Sequence, residues 1–174
     1  RFYGRPDFTE GQLSQPDANP TLKPIRFLCR AVIPMRPNEI AGRILDVSRW
    51  GDFQGCWPIP GIVSAEYEER TAAVIGSRIR VRNGDGSTHV EEVIAWIPDR
   101  LVQIRLDDFS VPLKWLAAHF TETWQFERDG PAGTPVSRIF ELQPVSVMTW
   151  PAVWVLSRCL RRAVCRHLRA MAAG

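Results

Sequence analysis

The chain has 174 residues, 45% of them hydrophobic and 24% charged, which suits one globular domain with a sizeable core and excludes a disordered or fibrous protein. Mean hydropathy is -0.15, and no apolar run approaches the ~18 residues that a membrane span requires. The formal charge of +3 is mild but uneven: no acid follows Glu141, whereas Arg158, Arg161, Arg162, Arg166 and Arg169 all do.

Residues 1–23 open with RFYGRPDFTEGQLSQPDANP, which has no apolar stretch of the kind a secretory signal carries. They read as an irregular arm ahead of a domain over 24–174. PIRFLCRAVIP (24–34) predicts a strand closed by Pro34. RPNEIAGRILDVSRW (36–50) predicts a helix capped by Asn38, with Ile40, Ala41, Ile44, Leu45 and Val47 at helical spacing. GDFQGCWPIPG (51–61) is turn-rich. Strands are then expected at 62–70, 76–84, 87–98, 101–109, 119–128 and 136–144, with turn signals between them. A long amphipathic helix over 147–172 closes the chain. Trp150, Val153, Trp154, Ser157, Leu160, Val164, Leu168 and Met171 form its apolar stripe. Arg158, Arg162, Arg166 and Arg169 form a basic one.

This order makes an α+β protein: a strand, a helix, a run of consecutive antiparallel strands, and one long helix. The meander must bury one face, and its long partner is the last helix. A curved sheet folded around a helix leaves a gap that suits a small apolar ligand.

Four cysteines, Cys29, Cys56, Cys159 and Cys165, are irregularly spaced and form no CxxC pair. A zinc site is not expected, and free thiols in a reducing cytosol are. Cys159 and Cys165 lie on different helix faces, so they are not expected to bridge.

The hairpin RIRVRNGDGSTHVEEVIAW (78–96) sets Arg78, Arg80, Arg82, His89 and Glu91 against Ile79, Val81, Val90, Ile94 and Trp96. A two-residue turn at Asp85–Gly86 pairs Arg80 with Glu91. One at Gly84–Asp85 pairs Arg78 with Glu91. The charged face is either solvated or turned into the cavity. Periodicity favours the solvated reading, with Glu92 the one carboxylate on the apolar face.

Tyr67 shares a strand face with Val63 and Ala65, as core or cavity wall. Phe120, Trp124 and Phe126 share another, with Glu122 beside them. Arg138 lies in line with Val136, Phe140 and Leu142, an inward cation that pairs with Glu122 or clamps a ligand carboxylate. His89 and His119 have no nucleophile at a recognisable spacing.

Four stretches in this order resemble the SRPBCC superfamily of START-like, polyketide cyclase/dehydrase and pollen-allergen-like proteins. They are NEIAGRILDVSRW (38–50), WPIPGIVSAE (57–66), VIGSRIRVRNGDGSTHVEEVIAWIPDRLVQIRL (74–106) and TWQFERDGPAGTPVSRIFELQP (123–144), ahead of the long helix. The resemblance implies a helix-grip fold, a curved antiparallel sheet wrapped around the C-terminal helix with an internal cavity. It also implies a matching Arg and Glu on adjacent strands, here Arg80 and Glu91. Members bind lipids, sterols, polyketides and hormones, and some cyclise or dehydrate them.

The leading expectation is a cytoplasmic protein with no cofactor or metal that holds a small hydrophobic molecule. Tyr67, Ile79, Val81, Glu91, Trp96, Ile104, Phe120, Trp124, Phe140 and Trp154 are its candidate ligand contacts. The alternative is a cyclase or dehydratase, with Glu92, Glu122 and Arg138 as catalytic candidates. A third reading is a protein-interaction module with a collapsed cavity. Nucleic acid is not an expected partner, nor is membrane insertion. A peripheral membrane contact is open to Arg158, Arg162, Arg166 and Arg169.

Overall fold

A computed structural model describes residues 22–173; the arm expected at 1–23 lies almost wholly outside them. Strands β1 (Ile25–Ile33), β2 (Ile62–Glu69), β3 (Arg78–Asn83), β4 (Thr88–Ile97), β5 (Leu101–Asp107), β6 (Ala117–Phe126) and β7 (Thr134–Pro144) form one sheet. Helix α1 (Pro37–Leu45) follows β1, and α2 (Trp150–Ala173) ends the described chain. The strand order is β1-β7-β6-β5-β4-β3-β2, antiparallel throughout. Consecutive strands from β2 to β7 are neighbours, and β1 closes the far edge. The curved sheet and the long terminal helix make a helix grip.

Alternation along the strands decides the core. Val102, Ile104 and Leu106 of β5 meet Phe120, Trp124 and Phe126 of β6, and Val136, Phe140 and Leu142 of β7. Val153, Val164, Leu168 and Met171 of α2 pack on this face. Trp150 and Trp154 of the predicted stripe do not; both are exposed, and Trp154 lies under the Arg158 guanidinium at 5.0 Å.

Helix α1 is shorter than its sequence suggests. Pro37 occupies its first turn, and the Glu39 carboxylate accepts from the Arg36 N–H at 3.0 Å. Asn38 therefore lies inside the helix and does not cap it. The helix ends at Leu45 because Asp46 turns to accept from the Ser48 N–H, starting a 3-10 segment over Val47–Asp52. The Trp50 indole N–H closes on the Ile44 carbonyl at 2.8 Å.

The β3–β4 hairpin takes neither expected register. Its loop is Gly84–Asp85–Gly86, closed by an Asn83 N–H to Ser87 carbonyl bond of 2.9 Å, with Gly86 at φ 84. Three loop residues in place of two pair Ile79 with Glu91, Arg80 with Val90 and Arg78 with Glu92. Because side chains alternate, this one-residue change moves each one on β4 to the other face. His89 and Glu91 turn inward beside Ile79 and Val81. Glu92 turns outward, 3.3 Å from Arg78. A bulge between Val93 and Ala95 shifts the phase again and leaves Ile94 exposed.

Cys29 of β1 and Cys165 of α2 form a disulfide, with Cα atoms 5.3 Å apart. The expectation of four free thiols is corrected for this pair: the crossing of α2 over β1 brings together residues 136 positions apart, a proximity that spacing alone does not reveal. Cys56 and Cys159 are free.

Candidate functional site

Between the sheet and α2 lies a cavity of about 410 Å³. Strands β5 to β7 supply one wall through Ile104, Leu106, Phe120, Trp124 and Phe140. Helix α2 supplies the opposite wall through Leu156, Leu160, Val164, His167 and Met171, and the β5–β6 loop adds Phe109, Leu113 and Leu116. The surface is mainly apolar, with two polar clusters in it.

The first cluster centres on Arg138, which β7 points inward. Its Nε donates to the buried Glu122 carboxylate, and its Nη1 donates to His167 Nδ1 at 3.0 Å. Its guanidinium also lies 4.4 Å from the Trp124 ring centre and 5.4 Å from that of Phe140. An arginine has no lone pair to offer, so His167 Nδ1 is the acceptor and its proton sits on Nε2. Burial, with Arg138 adding to it, holds the His167 pKa down to about 4. Burial also raises the Glu122 pKa, with Arg138 opposing the rise and the nearby Glu91 adding to it.

The second cluster is on β4. His89 Nε2 lies 3.1 Å from Glu91 Oε1, and the Asn83 amide lies 3.5 Å from His89 Nδ1. The two carboxylates thus have separate partners, an arginine for Glu122 and a histidine for Glu91. Among the described residues, no fully buried side-chain nitrogen or oxygen lacks a hydrogen bond. Arg43, Arg49 and Asp52, with Asp85, Ser87, Thr88 and Ser110, add further polar groups to the lining.

Of the expected ligand contacts, Glu91, Ile104, Phe120, Trp124 and Phe140 line the cavity. Tyr67 faces inward but is spent elsewhere: its hydroxyl donates to the Leu45 carbonyl at 2.7 Å, tying β2 to the end of α1. Ile79 and Val81 are fully buried core residues, Trp96 packs against the core, and Trp154 is exposed; none lines the cavity. Of the catalytic candidates, Glu122 and Arg138 line it as a pair. Glu92 is on the outer face with Arg78, and Arg80 pairs there with Glu68 and Asp108.

Sequence reasoning missed His167. The signal was present, because His167 falls in step with Val164, Leu168 and Met171 at the i, i+3, i+4, i+7 positions of one helix face. It also missed Phe109, which follows a positive φ of 49 at Asp108 and packs 4.8 Å from Phe120 between ring centres.

No protein-family model and no curated protein matches the chain. Solved structures do match. A START superfamily protein from Mycobacterium smegmatis aligns with a TM-score of 0.64 and 11% identity, over 87% of this chain and 97% of that one. The di-domain ARO/CYC BexL of the BE-7585A biosynthetic pathway aligns at 0.61 and 16%, over 87% of this chain and 50% of that one. The major latex-like protein 151 of Panax ginseng aligns at 0.55 and 13%, over 86% and 98%. The chain shares the helix-grip fold of these structures. At these identities the likeness carries the architecture, and the chemistry has to be read from the cavity itself. No helix of the described residues is long and apolar enough to cross a membrane.

Proposed function

We propose that this helix-grip protein binds a small, mainly apolar molecule between its sheet and α2, with one polar end held by the Glu122–Arg138–His167 cluster. The observation that carries the reading is the cavity of about 410 Å³, walled by Leu, Phe and Val side chains and holding a fixed guanidinium. Affinity comes from apolar burial, at ~25 cal/mol per Å² before ordering is subtracted. The His167 Nε2–H and the Arg138 guanidinium offer donors, so a carbonyl or hydroxyl oxygen is the matching ligand group. The START-like and cyclase-like architectures of the structural neighbours agree with such a ligand. The size of the cavity weighs against a collapsed interaction module.

Native mass spectrometry of gently purified protein, followed by denaturing extraction, tests the proposal. A carried-over hydrophobic molecule supports it. A clean apo mass together with failure to take up any apolar fluorescent probe sinks it.

A second reading is favoured by the His89–Glu91 pair. A carboxylate with a histidine partner on the same cavity wall as a fixed arginine suits acid–base work on a carbonyl compound, as in cyclisation or dehydration. Under that reading Glu91→Gln and Glu122→Gln each abolish turnover of a candidate polyketide-like substrate but leave apolar probe affinity nearly unchanged. If both variants keep full turnover, the enzymatic reading fails.

The cytoplasmic location expected from free thiols loses part of its basis with the Cys29–Cys165 bridge, since disulfides persist mainly in oxidising compartments. Alkylation of the protein in freshly lysed cells, followed by mass measurement, distinguishes a bridged from a reduced pair.

A further inference from the structure

Topology gathers one set of loops at one end of the sheet. The 54–61 segment before β2, the 84–87 turn, the 108–116 loop and the 145–149 turn all lie at the end where β3, β5 and β7 finish. The Val145 N–H bonds to the Leu116 carbonyl at 3.0 Å, joining the last two. Of the exposed members of the cavity lining, Pro58, Asp85, Val111 and Pro112 come from these loops, so this end carries a mouth; Arg49 and Asp52 of the Val47–Asp52 segment are exposed beside the 54–61 loop.

The same end is apolar toward water. Trp57 is 93% exposed, Met148 89%, Val147 72% and Trp115 63%. Large side chains left this bare along one end of a sheet mark an interaction surface. The charges nearest Trp57 are Arg166 and Asp85. Arg166 lies against the Gln54–Gly61 segment that carries Trp57. Arg158, Arg161, Arg162, Arg166 and Arg169 are all exposed on α2, and none makes an ion pair among the described residues. Of the acids at this end, Asp108 has a cation partner and Asp85 keeps its negative charge. Asp85 accepts from Ser87, and Asp108 pairs with Arg80. At the opposite end the loops are mixed in sign, with Arg70, Arg100 and Arg128 beside Glu69, Asp99, Glu127 and Asp129.

We propose that the mouth end docks on the surface of an anionic lipid bilayer, with Trp57, Trp115 and Met148 entering the interface and the α2 arginines meeting the headgroups. Tryptophan and arginine divide a bilayer interface in this way, the ring at headgroup depth and the cation on the phosphates. A polyanion without an apolar layer, such as a nucleic acid, matches the arginines but leaves Val147 and Met148 in water. A mouth held at the interface lets an apolar molecule pass between bilayer and cavity without crossing bulk water. The docking itself does not depend on what the cavity holds.

Flotation of the purified chain with unilamellar vesicles tests this, using equimolar phosphatidylcholine and phosphatidylglycerol against phosphatidylcholine alone. The chain is expected to float with the anionic vesicles only, and progressively less as salt shortens the Debye length. Replacing Arg162 and Arg166 by Glu is expected to weaken the partitioning by more than about tenfold, at roughly fivefold per cation lost near the surface. Trp57→Ser with Met148→Ser should weaken it comparably and remove the blue shift of tryptophan emission. Arg128→Glu, at the far end, should leave it unchanged. All these positions are exposed, and a native far-ultraviolet circular dichroism spectrum confirms that each variant is folded. Absence of flotation, equal flotation with neutral vesicles, an equal loss in Arg128→Glu, or arginine-dependent binding of DNA or RNA in place of vesicles would each overturn the proposal.

Discussion

Arg138 shows how much one side chain does in this cavity. It joins three elements, since its own β7 position meets Glu122 of β6 and His167 of α2. Arg138→Met leaves the Glu122 carboxylate buried without its cation. Denaturant unfolding at neutral pH should then show a loss of ~3–5 kcal/mol. Adding Glu122→Gln should recover part of that loss, because the two changes share one network. His167 gives the pH dependence. Its pKa in the folded protein is about 4 against the ordinary value of 6.5. Between those values the unfolded chain binds the proton and the folded protein does not. Stability therefore falls as pH drops from 6.5 toward 4, by up to about 3 kcal/mol. Protonation would also end the Arg138 Nη1 to Nδ1 bond. Glu122, with its raised pKa, acts in the opposite sense: its contribution is present below 4.5 and is lost as pH rises through its folded value. His167→Gln keeps an acceptor for Arg138 and removes the titration. Between pH 6.5 and pH 4.5 the wild type should lose more stability than this variant in urea titrations; equal losses would assign the effect to other groups. The charges flanking His167 are Arg138, Asp52 and Arg43.

At the level of elements, strand existence was legible and facing was not. Each predicted strand is present within about two residues, because alternation and turn residues are local signals. The β3–β4 register depended on whether Asn83–Ser87 encloses two residues or three, and either fits the sequence NGDGS. That single choice decided whether Glu91 or Glu92 enters the cavity. The Glu122–Arg138 pair was legible because both residues sit on strands whose other inward residues are large and apolar. The disulfide was not, because it depends on how α2 crosses β1. In the chain-entropy account, a bridge closing 136 residues stabilises by ~5 kcal/mol. Cys165→Ser should therefore lower the unfolding midpoint markedly, and a reducing agent should do the same to the wild type and nothing further to the variant. Gly133 makes a second element-level test. It has φ 113, and a Cβ there would overlap the Ile33 carbonyl at the end of β1. Gly133→Ala should lose ~1–3 kcal/mol from backbone strain alone, and more from the clash with β1. A neutral result in thermal unfolding would contradict the close approach of the β6–β7 loop to that strand.

At the scale of the whole molecule, the cavity and the core compete for the same side chains. Leu106, Phe120, Trp124, Phe140 and Val164 hold sheet and helix together, and they also line the cavity. A molecule that fills the cavity and binds only the folded chain stabilises the fold in proportion to its occupancy. This separates a binding cavity from a packing fault. Leu160 lines the cavity from α2 and is partly exposed, which leaves a larger ring room to turn inward. Leu160→Phe should restore wall contacts, keep or raise the unfolding temperature of the ligand-free protein, and weaken uptake of an apolar fluorescent probe by about tenfold or more. Calorimetry and probe titration on the same preparation read the two effects together. If the cavity is where ligand binds, stability and uptake move in opposite directions. If both fall, the ring does not fit and the wall is already closely packed. If uptake is unchanged while stability rises, the probe binds elsewhere, and the apolar mouth end with Trp57 and Trp115 becomes the site to examine.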